Sequence, residues 1–283
     1  MLLGPITHHP LDYGLGPLRL TGFGLAVLAG FIVAQHVSAS ELTRRGHDRE
    51  AEVIPDVVLA SVIGTLIGAK LYYVILTGDA GAFFSRGGFV FWGGFIGSVL
   101  LSYATIRWRK TDFARISDAT GIAIMAGYAV GRTGCWAVGD DYGRPWSGPF
   151  AVMFPQGAPP STAIIMNHSF GTPIPPGITG DTVLAVHPTQ LYEVSIALVF
   201  FLILWRLRKH KHAEGWLFGL YCVLAGLERF IVEFFRAKDD RLLGPLTLAQ
   251  GIALAIAAGG AWWMMARSTP GPGRPGIYKE AAA

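Results

Sequence analysis

The stretch LTLAQGIALAIAAGGAWWMMA, Leu246–Ala266, runs for 21 residues without one Asp, Glu, Lys or Arg. A helix needs about 20 mostly apolar residues to cross the ~30 Å hydrocarbon core of a bilayer. Working outward, six further segments of that kind precede it: Leu18–Val37, Val53–Leu76, Gly88–Ile106, Ser117–Val138, Pro188–Trp205 and Gly215–Phe235. Period-2 alternation is weak in all seven, which argues against a β-barrel. The reading is an all-α polytopic membrane protein with seven transmembrane helices.

Composition agrees. Of 283 residues, 52% are apolar and only 15% charged, against roughly 25% charged in an ordinary soluble domain. So few charges cannot cover a soluble surface of this size. The formal charge of +4 does not indicate nucleic acid, because the basic residues lie between apolar runs instead of along one face. Cys135 and Cys222 both fall in apolar segments, which excludes a disulfide framework. The start, Met1–Gly16, has no basic run ahead of the first apolar segment, so no cleaved leader is expected.

Loop charge sets the orientation. Fourteen Lys and Arg fall on one side: Arg44, Arg45 and Arg49; Arg107, Arg109, Lys110 and Arg115; Arg206, Arg208, Lys209 and Lys211; Arg267, Arg274 and Lys279. The other side has six: Arg19, Arg86, Arg144, Arg236, Lys238 and Arg241. The N-terminus is therefore expected outside and the C-terminus in the cytoplasm. Residues 1–266 read as a single transmembrane domain with an external loop, 139–187, too long to be a plain connector. The Gly- and Pro-rich residues 267–283 read as a disordered cytoplasmic tail. Three GxxxG pairs, Gly64–Gly68, Gly93–Gly97 and Gly127–Gly131, predict close helix packing.

Lys70, Arg132 and Arg229 remain at membrane depth, where each charge costs at least ~2.5–3.5 kcal/mol on insertion scales. All three fall toward the outer ends of their helices, as do Gln190, Glu193 and Glu233. An ion pathway would string charges across the whole thickness; these converge at one depth, under the long external loop. Lys70 reads as structural. Arg229 has Glu233 at i+4 and can be read as a simple helix pair. Two guanidiniums in the outer leaflet otherwise suit a phosphate, which arginine grips in a planar fork, and a phospholipid headgroup lies at that depth. His187-Pro188-Thr189-Gln190-Leu191-Tyr192-Glu193 reads as a helix start that sets Gln190 and Glu193 on one face. They either tie that helix to its neighbours or orient the arginines and substrate. No metal is expected, since His8-His9 are adjacent and His210-x-His212 sits in a basic turn. No P-loop or dinucleotide fingerprint is present, and no cofactor is expected.

These residues resemble the bacterial prolipoprotein diacylglyceryl transferases over nearly the whole chain. The resemblance rests on Gly93-Gly94-Phe95-Ile96-Gly97, on Gly131-Arg132-Thr133-Gly134 followed by Gly139-Asp140-Asp141-Tyr142-Gly143-Arg144, and on the His187–Glu193 run. It continues through Arg229-Phe230-Ile231-Val232-Glu233-Phe234-Phe235-Arg236 and Gln250 at the opening of the last helix. It implies seven helices with the N-terminus outside, in the bacterial inner membrane, and an active site toward the outer leaflet. The implied reaction moves the diacylglyceryl group of phosphatidylglycerol to the lipobox cysteine thiol of a prolipoprotein, with loss of glycerol phosphate. Phosphatidylglycerol, prolipoprotein signal peptides and the bilayer are then the partners, and nucleic acid is not.

The resemblance makes Arg132 and Arg229 the catalytic arginines, with Asp140 at the position of a family glutamate. Gly143, Gln190, Glu193, Glu233 and Gln250 join Arg132 as substrate-binding residues. Well-known members carry histidine where Trp92 stands, tyrosine at Phe23 and Ala225, and asparagine at Cys135. Those departures bear on the acid–base chemistry and on the acceptor. A paralogue using another acceptor, and a phospholipid-binding protein without chemistry, are the alternatives.

Overall fold

The computed structural model describes residues 5–15, 18–85, 88–174, 176–237, 241–243 and 246–269. Residues 270–283 of the expected tail lie outside the described residues, as do Arg86, Lys238, Arg274 and Lys279 of the charge count. Among the described residues the chain is all-helical in character, with eight α-helices. They are α1 (Gly22–Arg44), α2 (Asp48–Thr77), α3 (Phe91–Trp108), α4 (Phe113–Val138), α5 (Ala163–Phe170), α6 (Thr189–Leu207), α7 (Trp216–Glu233) and α8 (Leu248–Ala266). Every apolar segment of the sequence coincides with one of them, and α5 is a short helix inside the 139–187 loop.

Four helices, α1, α2, α6 and α8, are long and apolar enough to cross a membrane. The reason α4 and α7 fall short is chemical: they carry Arg115, Asp118 and Arg132, and Glu228, Arg229 and Glu233. α3 is diluted by Trp, Gly and Ser. Burial is inverted relative to a soluble protein. Ile75 is 75% exposed, whereas Glu193 is 1% exposed, as expected where lipid bathes the outside and polar groups must find partners within.

Helix ends differ from the apolar segments where a polar turn extends the helix. α2 starts at Asp48, with Asp48 and Glu50 in its first turn facing the helix dipole. α4 begins at Phe113, where Asp112 Oδ1 accepts the Arg115 amide at 2.9 Å.

The described residues form two compact units. One comprises residues 35–120. In it Gly64 and Gly68 of α2 face Gly97 and Gly93 of α3 so closely that a Cβ on any of the four would strike the opposite backbone. Lys70 donates to the Ser85 carbonyl and lies 4.6 Å from the centre of the Phe89 ring.

The other unit takes in the described residues up to 34 and from 121 to 269. There Gly127 of α4 meets the Gly30 carbonyl of α1, and Gly219 of α7 meets the Gly260 carbonyl of α8. The long loop has a core of its own: Tyr142, Val152, Phe154, Met166 and Val186 are buried together. It is tied down by a small sheet in which β2 (Val152–Met153) pairs parallel with β1 (Ile6–Thr7) and antiparallel with β3 (Ala185–Val186). Tyr142 Oη lies 2.9 and 3.0 Å from the carbonyls of Pro159 and Pro160, which share its one hydrogen. The first residues of the loop, which leave the end of α4, are joined to the start of α6 through Thr189 and Gln190 and to the segment after α7 through the Gly143–Arg236 bridge.

Candidate active site

The site begins where α4 stops. Gly139, at φ +70°, takes the left-handed conformation that closes a helix, and the amides of Gly139 and Asp140 bond back to the Cys135 carbonyl. Asp141 follows at φ +56°, a conformation that aspartate tolerates better than most residues. Thr189 Oγ1 donates to its carbonyl at 2.6 Å, and Gln190 Nε2 donates to the Asp140 carbonyl. The start of α6 therefore grips the backbone of the bend through two completely buried side chains.

That bend aims the Asp141 carboxylate between two arginines. Its Oδ2 accepts from Arg132 Nη1 at 2.8 Å and its Oδ1 from Arg236 Nη2 at 2.8 Å. Arg132 Nη2 pairs with Glu193 Oε2, and Arg132 Nη1 also reaches Cys135 Sγ at 3.2 Å. Beyond Arg236 stands Glu233 Oε2, 3.9 Å from Arg236 Nε and 2.7 Å from Arg229 Nη2. One unbroken row results: Glu193, Arg132, Asp141, Arg236, Glu233, Arg229. Three cations alternate with three anions, so each buried charge has a neighbour of opposite sign.

The row still has open donors. Arg132 Nε is buried with no hydrogen-bond partner among the described residues. Arg229, whose side chain is 35% exposed, is held to Glu233 only as an ion pair through one nitrogen, and Glu233 Oε2 has no hydrogen-bond partner among the described residues. Each guanidinium of the row is held by at least one carboxylate.

The two aspartates of the bend have opposite electrostatics. Burial alone would push Asp141 up, but Arg236 and then Arg132 outweigh it and hold the carboxyl below the usual carboxylate range. Asp140 is pushed up to about 6, by burial and then by the charge on Asp141. Its Oδ1 is buried without a partner. Cys135 Sγ and the carboxylates of Asp140 and Asp141 lie within 4.8 Å of one another. Because guanidiniums occupy both Asp141 oxygens, two donors remain there, too few for a closed metal site.

Of the residues expected from the sequence, Arg132, Glu193, Glu233 and Arg229 fall in the row, and Gln190 and Asp140 sit beside it. Gly143 lies at a crossing: its amide donates to the His187 carbonyl at 2.8 Å and it bridges to Arg236, and a Cβ would strike the Phe235 carbonyl. Gln250 is placed differently. Its side chain closes a capping box with Thr247 at the start of α8, accepting from the Thr247 amide at 3.1 Å.

Sequence reasoning missed Asp141, Arg236, Tyr128 and Glu228. The available signal was helical spacing, since Tyr128 precedes Arg132 by four residues and Arg236 follows Glu233 by three.

The fold and the site define an α-helical integral membrane protein with a row of alternating charges gathered where α4, α6 and α7 meet the long loop. Residues 10–266 match the family model described as prolipoprotein diacylglyceryl transferase, and the chain belongs to that family. It is 30% identical over 279 residues to the phosphatidylglycerol–prolipoprotein diacylglyceryl transferase of Burkholderia mallei, covering 90% of this chain and 93% of the relative. Enzymes of the same name from Geobacter sulfurreducens and Nitratidesulfovibrio vulgaris are 29% and 28% identical, over 85% and 89% of this chain and 88% and 92% of theirs.

Proposed function

We propose that this chain transfers the diacylglyceryl group of phosphatidylglycerol to the lipobox cysteine thiol of prolipoproteins. The observation that carries the reading is the row joining Arg132 to Arg229, with donor edges left for one anion. In the transfer the thiol sulfur bonds the glycerol carbon as the carbon–oxygen bond to phosphate breaks. The electron pair stays on the phosphate oxygen, and Arg132 and Arg229 stabilise the charge that gathers there. The thiol proton passes to Asp140, whose carboxyl is the basic one of the pair, and from there to water. Gly143 admits the backbone crossing that holds Arg236 and hence Asp141 in place. Gln190, Glu193 and Glu233 set the arginines, while Gln250 supports the substrate side through the start of α8.

The same reading places seven helices across the bacterial inner membrane as one domain, residues 1–266. The N-terminus and the 139–187 loop lie outside, residues 267–283 form a cytoplasmic tail, and the site opens to the outer leaflet. Support comes from family membership, from the loop charge and from the depth of the charged row.

The direct test uses purified protein in phosphatidylglycerol liposomes with a lipobox peptide, read as the mass gained by the peptide cysteine. Expression in a strain depleted of its own transferase is the cellular counterpart. Thioether formation and rescue are expected. Phosphatidylglycerol binding without transfer would favour the non-catalytic lipid-binding alternative, and transfer to a different nucleophile would favour the paralogue.

A further inference from the structure

Next to the Arg132–Glu193 pair, two further polar groups, Tyr128 and Glu228, are not used by the reaction just described. Tyr128 lies one turn before Arg132 on α4. Its hydroxyl is 3.2 Å from Glu193 Oε1 and 3.4 Å from Glu228 Oε1. Glu193 and Glu228 are 1% and 5% exposed. Glu193 has a cation, Arg132, on its other oxygen. Glu228, on α7, has only the Tyr128 hydroxyl as its hydrogen-bond partner among the described residues.

A phenol has one hydrogen to donate and lone pairs to accept with. Two ionised carboxylates cannot both be bonded to it, because one would face oxygen with no hydrogen between. A buried carboxylate lacking a paired cation is also costly, far more so than a neutral acid that donates a hydrogen bond. Both conditions are met by one arrangement: Glu228 O–H donates to Tyr128, Tyr128 O–H donates to Glu193, and Glu193 pairs with Arg132.

We infer that Tyr128 and Glu228 are positioning residues for Arg132, forming with Glu193 a hydrogen-bonded chain in which Glu228 is the protonated member. The inference rests on the proposed function for its kinetic part only. Glu193 holds one nitrogen of the guanidinium, and Tyr128 fixes Glu193. Arg132 is thus braced from both sides, by Asp141 at the loop and by the Glu228–Tyr128–Glu193 chain within the helices. A transition-state donor gains from such bracing because it need not reorganise as charge develops.

The test compares Tyr128→Phe, Glu228→Ala and Glu228→Gln with wild type, all as full-length protein in phosphatidylglycerol liposomes. Infrared spectra are recorded without acceptor, and transfer is then measured. The wild-type minus Glu228→Gln difference spectrum, in which the ester bands of the lipid cancel, should show the C=O stretch of a protonated carboxylic acid in wild type. Turnover should fall about 10- to 100-fold in Tyr128→Phe, the effect of one hydrogen bond to a charged group. The loss should appear in kcat with little change in KM for the lipid. Glu228→Ala should fall similarly, whereas Glu228→Gln should stay within about threefold, since a carboxamide N–H donates where the acid O–H did.

A difference spectrum without the protonated band overturns the inference. So does a Glu228→Gln variant as slow as Glu228→Ala, because that shows a required carboxylate. If wild type itself transfers nothing, the proposed function fails, and the infrared comparison still decides the state of Glu228.

Discussion

Asp141 Oδ2 accepts a hydrogen bond from Arg132 Nη1 at 2.8 Å across a helix end that Gly139 folds back on itself. The same carboxylate receives Arg236 on its other oxygen, so one side chain from a loop holds together charges from α4 and from the end of α7. Replacing it with asparagine keeps the shape and removes the charge. Transfer in Asp141→Asn should drop about 10- to 100-fold, as expected for weakening charge-assisted hydrogen bonds. The stability profile should change as well. A carboxyl held low in the folded state contributes stability above its unfolded value of roughly 3.9 and loses it as pH falls toward the folded value. Thermal unfolding in detergent from neutral pH to below pH ~4 should show this acid loss in wild type and less of it in the variant. Identical profiles would mean that Asp141 is not paired as described.

The arginines are expected to act on the departing phosphate. Arg132→Ala or Arg229→Ala should lower transfer by about 10²- to 10³-fold, the scale of losing one preorganised donor. Both proteins should insert and remain folded. Lysine at position 132 should restore little, because it cannot serve Asp141 and Glu193 through one planar fork. Near-normal transfer by Arg132→Ala would remove the basis of the proposed site.

Asp140 gives the reaction a pH dependence. With its carboxyl pushed up to about 6, the group is protonated and unable to accept a proton below that value, and ionised above it. Transfer should rise with pH to a half-maximum near about 6 and level off above. Asp140→Asn should be slower at neutral pH by about 10²- to 10⁴-fold, the usual contribution of a general base, and should lack this rise. A wild-type rate that keeps climbing through pH ~8.5, the reference value for a thiol, would show that the ionisation of the acceptor governs the rate instead.

Orientation is tested by reporter fusions at Gly157 and Ser268, which should report opposite sides of the membrane. Agreement between them would refute the seven-span topology.

Much of this architecture can be read from residue order. Every apolar segment is a helix, since hydrocarbon demands long runs of one character. The shared face of Gln190 and Glu193 follows from a spacing of three, and the structure puts Gln190 on the Asp140 bend and Glu193 on Arg132. The division of roles between Asp140 and Asp141 could not be read. It depends on two left-handed residues, Gly139 and Asp141, one on each side of Asp140, which turn the second carboxylate toward the arginines and leave the first aside. Arg236 looked like an ordinary loop charge. Its place in the row comes from the crossing at Gly143, a contact between chain segments far apart in sequence that leaves no local periodicity. Gln250 shows the opposite limit, because a glutamine three residues after Thr247 fits a capping box as well as a ligand contact.

The pairing of Asp141 with Arg236 spans 95 residues of chain, and this fixes an order of assembly. During synthesis α4 and the bend after it are complete long before α7 exists. Arg132 and Asp141 can meet early, but Asp141 lacks its second arginine and Glu233 is not yet made. Only when the end of α7 has been delivered does Arg236 slot beside Gly143 and the row become electrically balanced. The charged row is therefore complete only once the chain has been made past the end of α7.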